Sequence, residues 1–436
     1  MMRDVFFGLI EKIQTRLQRG EVLLANFAGE RSDFVRFNHG KVRQAGSVEQ
    51  GALTLRLVHR KRQAAATIAV GGAGDDLFPV LEKLRAALAG LPEDPWLLIN
   101  EAPQSSATER PGVLAPADAV VEQTVQAARG RDLVGFYAGG TIHRGFANSL
   151  GQRNWHEVDS FNFDWSLYLR DDQAVKTGYA GFDWQPARFL ETVARAAGEL
   201  ELIDRPQRRL EPGEYRAYLA PRAVDELMGL LAWGGFSAKA RATKQSPLLR
   251  MQEGHRLSPR VNLVENTAGG VAAGFQGEGF VKPASVTLVR EGALADALVS
   301  PRSAKEYNLE TNAANGREAP ESLELGPGTL EKDQALGALG DGLYISNLWY
   351  LNYSDRPAGR ITGMTRFATF WVEGGRIAAP VSPMRFDDSI YRMLGENLID
   401  LTRERELMLD PSTYEARSTA SARLPGLLLR ALRFTL

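Results

Sequence analysis

The sequence predicts an α+β fold, with mixed and antiparallel sheets flanked by helices, and three observations predict it. Leu53, Leu55 and Leu57 alternate with Thr54 and Arg56, as in a strand with one buried face. Helical spacing occurs only at intervals, first in Phe6, Leu9, Ile10, Ile13 and Leu17. The two patterns do not alternate regularly along the chain, which favours segregated sheets over a doubly wound one.

The elements follow in order. After the opening amphipathic helix, which closes near Gly20, strand-like runs occupy 21–28 and 33–38, turning at Asn38-His39-Gly40. A further strand at 67–70 runs into the glycines near 71–74, and Leu77, Val80, Leu81, Leu84 and Leu88 build a second helix. Residues 1–100 are therefore read as a helix-strands-helix domain. Residues 101–118 are rich in Pro, Ser, Ala and Glu without an apolar period, which reads as a linker. A middle domain, 119–203, holds a helix at 120–128, a sheet over 133–182 with alternation at Phe161, Phe163, Trp165, Leu167 and Leu169, and a helix at 187–200. Pro206, Pro212 and Gly213 mark a second boundary. The third domain, 214–436, opens with a strand at 215–219 and a helix at 224–233. Strands are expected at 286–289, 342–348 and 367–372, a helix at 387–401 with Ile390, Leu394, Leu398 and Leu401 on one side, and a packed apolar tail from Leu424 to Leu436.

Composition narrows the function. With 436 residues, 44% hydrophobic and 24% charged, the chain is an ordinary globular one with room for two or three domains. Its 52 basic and 53 acidic side chains give no support to nucleic-acid or acidic-lipid binding. It has no cysteine, so disulfides and thiolate chemistry are excluded. Neither a secretory signal nor a membrane-spanning run is legible, and a cytoplasmic location is expected.

Familiar catalytic motifs are missing. The five histidines, His39, His59, His143, His156 and His255, are too far apart to clamp a metal from one helix turn. There is no Gly-x-Ser-x-Gly elbow and no phosphate loop. The pairs Asp171-Asp172 and Asp387-Asp388 suit a strand end and a helix N-cap. The glycine-rich stretch 269–279 reads as a turn-rich loop. No cofactor and no metal are called for by any of these.

A resemblance adds what local chemistry does not. Phe37-Asn38-His39-Gly40-Lys41-Val42 with Gly51-Ala52-Leu53-Thr54-Leu55-Arg56, then Phe146-Ala147-Asn148-Ser149-Leu150-Gly151, then Phe275-Gln276-Gly277-Glu278-Gly279 before Val286-Thr287-Leu288-Val289 and Glu291-Gly292-Ala293-Leu294 follow one another in the order of the TldD/PmbA family. Asn312-Ala313-Ala314-Asn315-Gly316, Gly342-Leu343-Tyr344-Ile345 and Phe370-Trp371-Val372-Glu373-Gly374-Gly375 complete the series. The resemblance implies that family's multi-domain architecture and a link to proteolysis. In the TldD branch a His-Glu-x-x-x-His helix and a later cysteine hold a metal. The matching positions here read Asp225, Glu226, Leu230 and Arg366, which resembles the PmbA (TldE) branch lacking those ligands. The expected role is a subunit without its own catalytic residues that dimerises with a TldD-type metallopeptidase and holds unfolded peptides for cleavage. The alternative is a homodimeric peptide- or protein-binding module without peptidase activity. The family's association with DNA gyrase suits that alternative, although the neutral charge speaks against DNA contact. The loop Gly274, Phe275, Gln276, Gly277, Glu278, Gly279 is expected to wall the peptide groove. The aromatic run Asn347-Leu348-Trp349-Tyr350-Leu351-Asn352-Tyr353 suits a contact surface or burial.

Overall fold

A computed structural model describes residues 2–72 and 74–435; Met1, Ala73 in the glycine-rich turn and the tail residue Leu436 lie outside the described residues. The fold is built on two large sheets. The first contains β1 (Val22–Asn38), β2 (Lys41–His59), β3 (Arg62–Ala69), β4 (Ser106–Arg110), β5 (Asp132–Asn148), β6 (Arg153–Arg170) and β7 (Gln173–Gly181), in the order β3-β2-β1-β5-β6-β4 with β7 also on β6. Its strands are antiparallel except β4, which runs parallel to β6. The expected runs at 21–28 and 33–38 fuse into one long strand. It turns at His39 and Gly40, both at positive φ as a two-residue hairpin turn requires. Helices α1 (Met2–Gln14), α2 (Phe78–Leu88), α3 (Ala117–Ala127) and α4 (Pro186–Ile203) flank this sheet. α1 buries Phe6, Leu9, Ile10 and Ile13, four of the five that the spacing singles out, against Phe27, Leu53, Leu55 and Trp155, while Leu17 lies past the end of the helix and packs partly buried on the same core.

The regions 1–100 and 119–203 share this sheet instead of forming two. β1 lies beside β5 from Leu24–Asn148 to Phe37–Gly135. Pairing between distant segments is set by which strand faces happen to match, which no local pattern encodes. The stretch read as a linker likewise contributes β4, whose rungs run from Ser106–Asn154 to Arg110–Val158.

The second sheet contains β8 (Gly213–Leu219), β9 (Leu263–Glu265), β10 (Val286–Arg290), β11 (Ala293–Leu294), β12 (Ser322–Leu325), β13 (Gly342–Asp355), β14 (Arg360–Glu373), β15 (Arg376–Pro380), β16 (Arg385–Ser389), β17 (Leu398–Leu409) and β18 (Ser421–Phe434). Its path β18-β16-β14-β13-β8 closes on itself because β8 also pairs with β18. Helix α5 (Pro221–Ala232) packs on β13 and β18 and joins the largest apolar core.

The expected helix at 387–401 is β16, a short irregular turn and β17. Gly395, at φ −108° and ψ −111°, breaks the helical path. Ile390, Met393 and Leu394 still enter the core, which is why their spacing imitates a helix. Asp388 is no N-cap. It lies buried in β16 and accepts the Arg433 N–H of β18 at 3.1 Å. The apolar tail is β18, with Leu424, Leu427, Leu429 and Leu432 fully buried. Among the described residues no helix is long and apolar enough to cross a membrane.

Candidate functional site

The site is a cleft between the two sheets, and α5 forms one wall. Pro221 starts the helix, its fixed φ suiting the first turn, after Ala220 in extended conformation. Ala223, Val224, Leu227, Met228 and Leu231 are buried, so one face of α5 is committed to the core. At 100° per residue the opposite stripe carries Arg222, Asp225, Glu226, Gly229 and Leu230, with Trp233 just beyond. Gly229 has open space where a side chain would stand.

Strands of the first sheet form the facing wall. Asp164 of β6 accepts from Arg222 at 3.1 Å and pairs with Lys176 of β7 at 3.4 Å. Arg222 also lies 4.0 Å from Glu406 of β17. Lys176 lines two hollows at once. One, of about 270 Å³, lies toward Arg195, Glu199, Tyr218 and Tyr344. The other, of about 660 Å³, opens toward Arg36, Phe136 and Phe367.

Crowding alters the acids of this wall. Burial pushes the Asp225 carboxyl up to about 6, with Glu226, Asp410 and Glu406 adding to the rise and Arg222 opposing it. Glu226 reaches solvent by surface area, yet enough protein surrounds its carboxyl that partial burial raises it too, with Asp164 adding and Lys176 and Arg222 opposing. Two carboxyls with raised affinity for protons therefore stand beside two fixed cations.

Arg366 closes the other end of the cleft. On β14, opposite Asn347 of β13, it reaches Asp172 in the β6–β7 turn at 3.5 Å. Its guanidinium also lies 5.1 Å from the Trp349 ring and 5.4 Å from Phe367. Trp349 is 50% exposed, Tyr350 75% and Trp233 60%. The aromatic run thus divides, with Leu348 buried and Trp349 and Tyr350 facing solvent.

A metal ion does not fit this arrangement. Asp225, Glu226, Leu230 and Arg366 supply neither imidazole nor thiolate, and two of the four have no ligand atom that a cation would accept. Among the described residues no three His, Cys, Asp or Glu side chains gather so as to hold one. The neighbouring acids Asp164 and Glu406 are already matched by Arg222 and Lys176.

The loop 274–279 is elsewhere. Phe275 packs on Leu24 and Phe146, and Glu278 accepts from Arg56 at 2.7 Å. The Gly279 carbonyl accepts from Gln152 at 2.8 Å and from Asn100 at 3.0 Å, and the Gln276 N–H bonds Phe280. Its polar groups are largely engaged within the chain. It docks near the rung Asn26–Phe146–Asn154, whereas Asp164 lies on the rung Arg36–Phe136–Asp164, ten residues along the strands. That separates loop and cleft by about 33 Å.

Sequence reasoning singled out Asp225, Glu226, Leu230 and Arg366 but not their partners Asp164, Lys176, Arg222 and Glu406, and it read Asp172 only as part of a strand end. These stand singly on strands, a turn and a helix, and no spacing links them.

Comparison with known proteins completes the picture. Residues 212–436 match the family model described as the PmbA/TldA metallopeptidase C-terminal domain. No curated protein matches the chain by sequence. Among solved structures, TldE from Thermococcus kodakarensis superposes with a TM-score of 0.83 at 15% identity, covering 99% of this chain and 100% of that one. A protein described as a proposed modulator of a DNA gyrase from Thermotoga maritima gives 0.79 at 14% identity, with 100% of both chains covered. A similar proposed modulator from Bacteroides thetaiotaomicron gives 0.76 at 15%, covering 99% and 98%. At these identities the likeness is one of fold.

Proposed function

This chain belongs to the PmbA/TldD family of metallopeptidase-related proteins, and on that premise we propose that it is a non-catalytic, TldE-like subunit that positions unfolded peptides for a TldD-type partner. One observation carries the reading. The outer stripe of α5 begins at Arg222, which lines the smaller hollow and pairs with Asp164, a residue that lines the larger one, and the positions that resemble the metal ligands of the catalytic branch are Asp225, Leu230 and Arg366. A shaped cleft without a metal set suits holding a substrate better than activating water.

The cleft has what an extended peptide needs. β13 loses its register with β14 between Trp349 and Asn352, and Tyr350 adopts φ +56°, so Tyr350 and Leu351 stand off the ladder. A break in the ladder beside exposed aromatic rings suits an extended peptide without demanding its sequence, and the rings take its apolar side chains. In this reading the loop 274–279 fastens the C-terminal region onto the first sheet and does not wall the groove.

The test is an assay of a denatured peptide with this chain alone, with a TldD-type chain alone and with both, beside gel filtration of the mixture. The expected result is a complex, cleavage only where the TldD-type chain is present, and faster cleavage when this chain is added. Cleavage by this chain alone, abolished by a point substitution in it, overturns the reading. Equal cleavage by the partner with and without this chain favours the homodimeric binding module.

A further inference from the structure

We propose that a second pocket, remote in composition from the cleft, binds a small molecule bearing a phosphate or carboxylate group. The pocket measures about 470 Å³ and lies where β14, β16 and β18 meet the segment that carries Arg250, His255 and Arg256. Five arginines and three carboxylates line it, and the bonding among them leaves cations over.

The carboxylates are all engaged. Asp387 accepts from Arg360 at 3.1 Å. Asp388 lies 3.5 Å from Arg392, and its second oxygen takes the Arg433 N–H. Glu396 lies 3.4 Å from Arg392, which also reaches Glu214 at 2.9 Å. Among the described residues the guanidinium groups of Arg250, Arg256 and Arg433 pair with no carboxylate, and all three line the same hollow. Glu253 acts on Tyr391 through space but does not line the pocket.

One of these cations is held on a rigid platform. Arg250 lies 4.8 Å over the Tyr391 ring, and His255 meets that ring edge-on at 4.8 Å. Tyr391 is buried, donates to the Pro247 carbonyl and accepts the Arg250 N–H. A guanidinium fixed in this way keeps its fork for a planar or tetrahedral oxyanion, and convergent forks bind such groups in bidentate fashion. The volume falls within the range of small-molecule sites and exceeds what a single inorganic ion needs.

The experiment titrates the full chain with inorganic phosphate, pyrophosphate and citrate at constant ionic strength, reading heat and melting temperature. Saturable binding of at least one probe is expected, weakened tenfold or more by Arg250→Ala with Arg433→Ala. A preference for pyrophosphate identifies a phosphoryl ligand, and a preference for citrate a carboxylate. Should the alanine pair unfold, Arg250→Lys with Arg433→Lys keeps the charge and is expected to weaken binding through loss of the fork. Absence of saturable binding by all three probes, or equal binding by the wild-type chain and the variants, overturns the proposal.

Discussion

Arg417, in the connection between β17 and β18, reaches into the first sheet and donates to the Ser160 carbonyl at 2.8 Å and to the Ser160 hydroxyl at 2.9 Å. Its other terminal nitrogen donates to the Gly140 carbonyl at 3.0 Å. The side chain is 5% exposed, and burial pulls its guanidinium down to about 10 against the opposing pull of Glu30. Here the second half of the chain satisfies backbone acceptors buried in the first.

Arg417→Ala is therefore expected to destabilise the protein by about 3 kcal/mol, because it strands buried carbonyls and removes one of the cations that act on Glu30. Urea unfolding followed by tryptophan fluorescence measures it. A loss below about 1 kcal/mol means that water replaces the guanidinium and that the clasp is dispensable.

Much of the local structure that supports this clasp was legible. The alternation from Phe161 to Leu169 marks β6, and the opening helix and α5 carry their apolar faces plainly. What was hidden is long-range. Nothing near Ser106 announces that a Pro- and Ser-rich stretch pairs with Trp155, or that Asp164 and Lys176 will face Arg222. Hydrogen bonding to a partner strand overrides a weak local preference, so β4 forms where composition suggests a linker. The site divides likewise. Helix positions 225, 226 and 230 follow from a motif, whereas the wall opposite them follows only from packing.

Asp225 makes stability depend on pH in a defined direction. Its carboxyl titrates near 6 in the folded chain, against an ordinary value of 3.8. The folded state thus holds the proton more tightly, so this contribution is fully present below about pH 4 and is lost as pH rises through 6. Asp225→Asn removes the dependence. The variant is expected to exceed the parent by about 2 kcal/mol at pH 7.5, after allowance for partial solvent screening, and to match it near pH 4. Melting curves across that range decide it, and a constant offset between the two proteins rules the mechanism out.

The aromatic rim separates binding from stability. Trp349 and Tyr350 are exposed, and Trp349 contributes to the fold chiefly through Arg366 at 5.1 Å. Replacing both with alanine is expected to cost less than about 1 kcal/mol of stability. If the cleft holds peptide as proposed, affinity for a denatured peptide falls about tenfold, as for the loss of aromatic anchors elsewhere. Fluorescence anisotropy with a labelled unfolded peptide measures this. Unchanged affinity would move the peptide away from β13.

The assignment of Asp225, Leu230 and Arg366 as counterparts of metal ligands has a constructive test. As it stands, the chain is expected to hold no stoichiometric zinc when purified without an affinity tag, because none of these side chains brings an imidazole or thiolate. Asp225→His, Leu230→His and Arg366→Cys together supply two imidazoles from one stripe of α5 and a thiolate from β14. Arg366 lies opposite Asn347 of β13, the strand on which α5 packs, so β13 connects the helix that carries two of the positions to the strand that carries the third. Removing Arg366 also removes a positive charge from beside Trp349. The triple variant is then expected to bind one zinc per chain and to melt several degrees higher with it than after chelation, since metal binding free energy adds to folding. Elemental analysis and paired melts give both readouts. If the variant folds yet binds no zinc, the register is shifted. If the unsubstituted chain carries one tightly held metal that Glu226→Gln releases, the chain is not of the non-catalytic branch, and Glu226 is the residue from which its chemistry should be rebuilt.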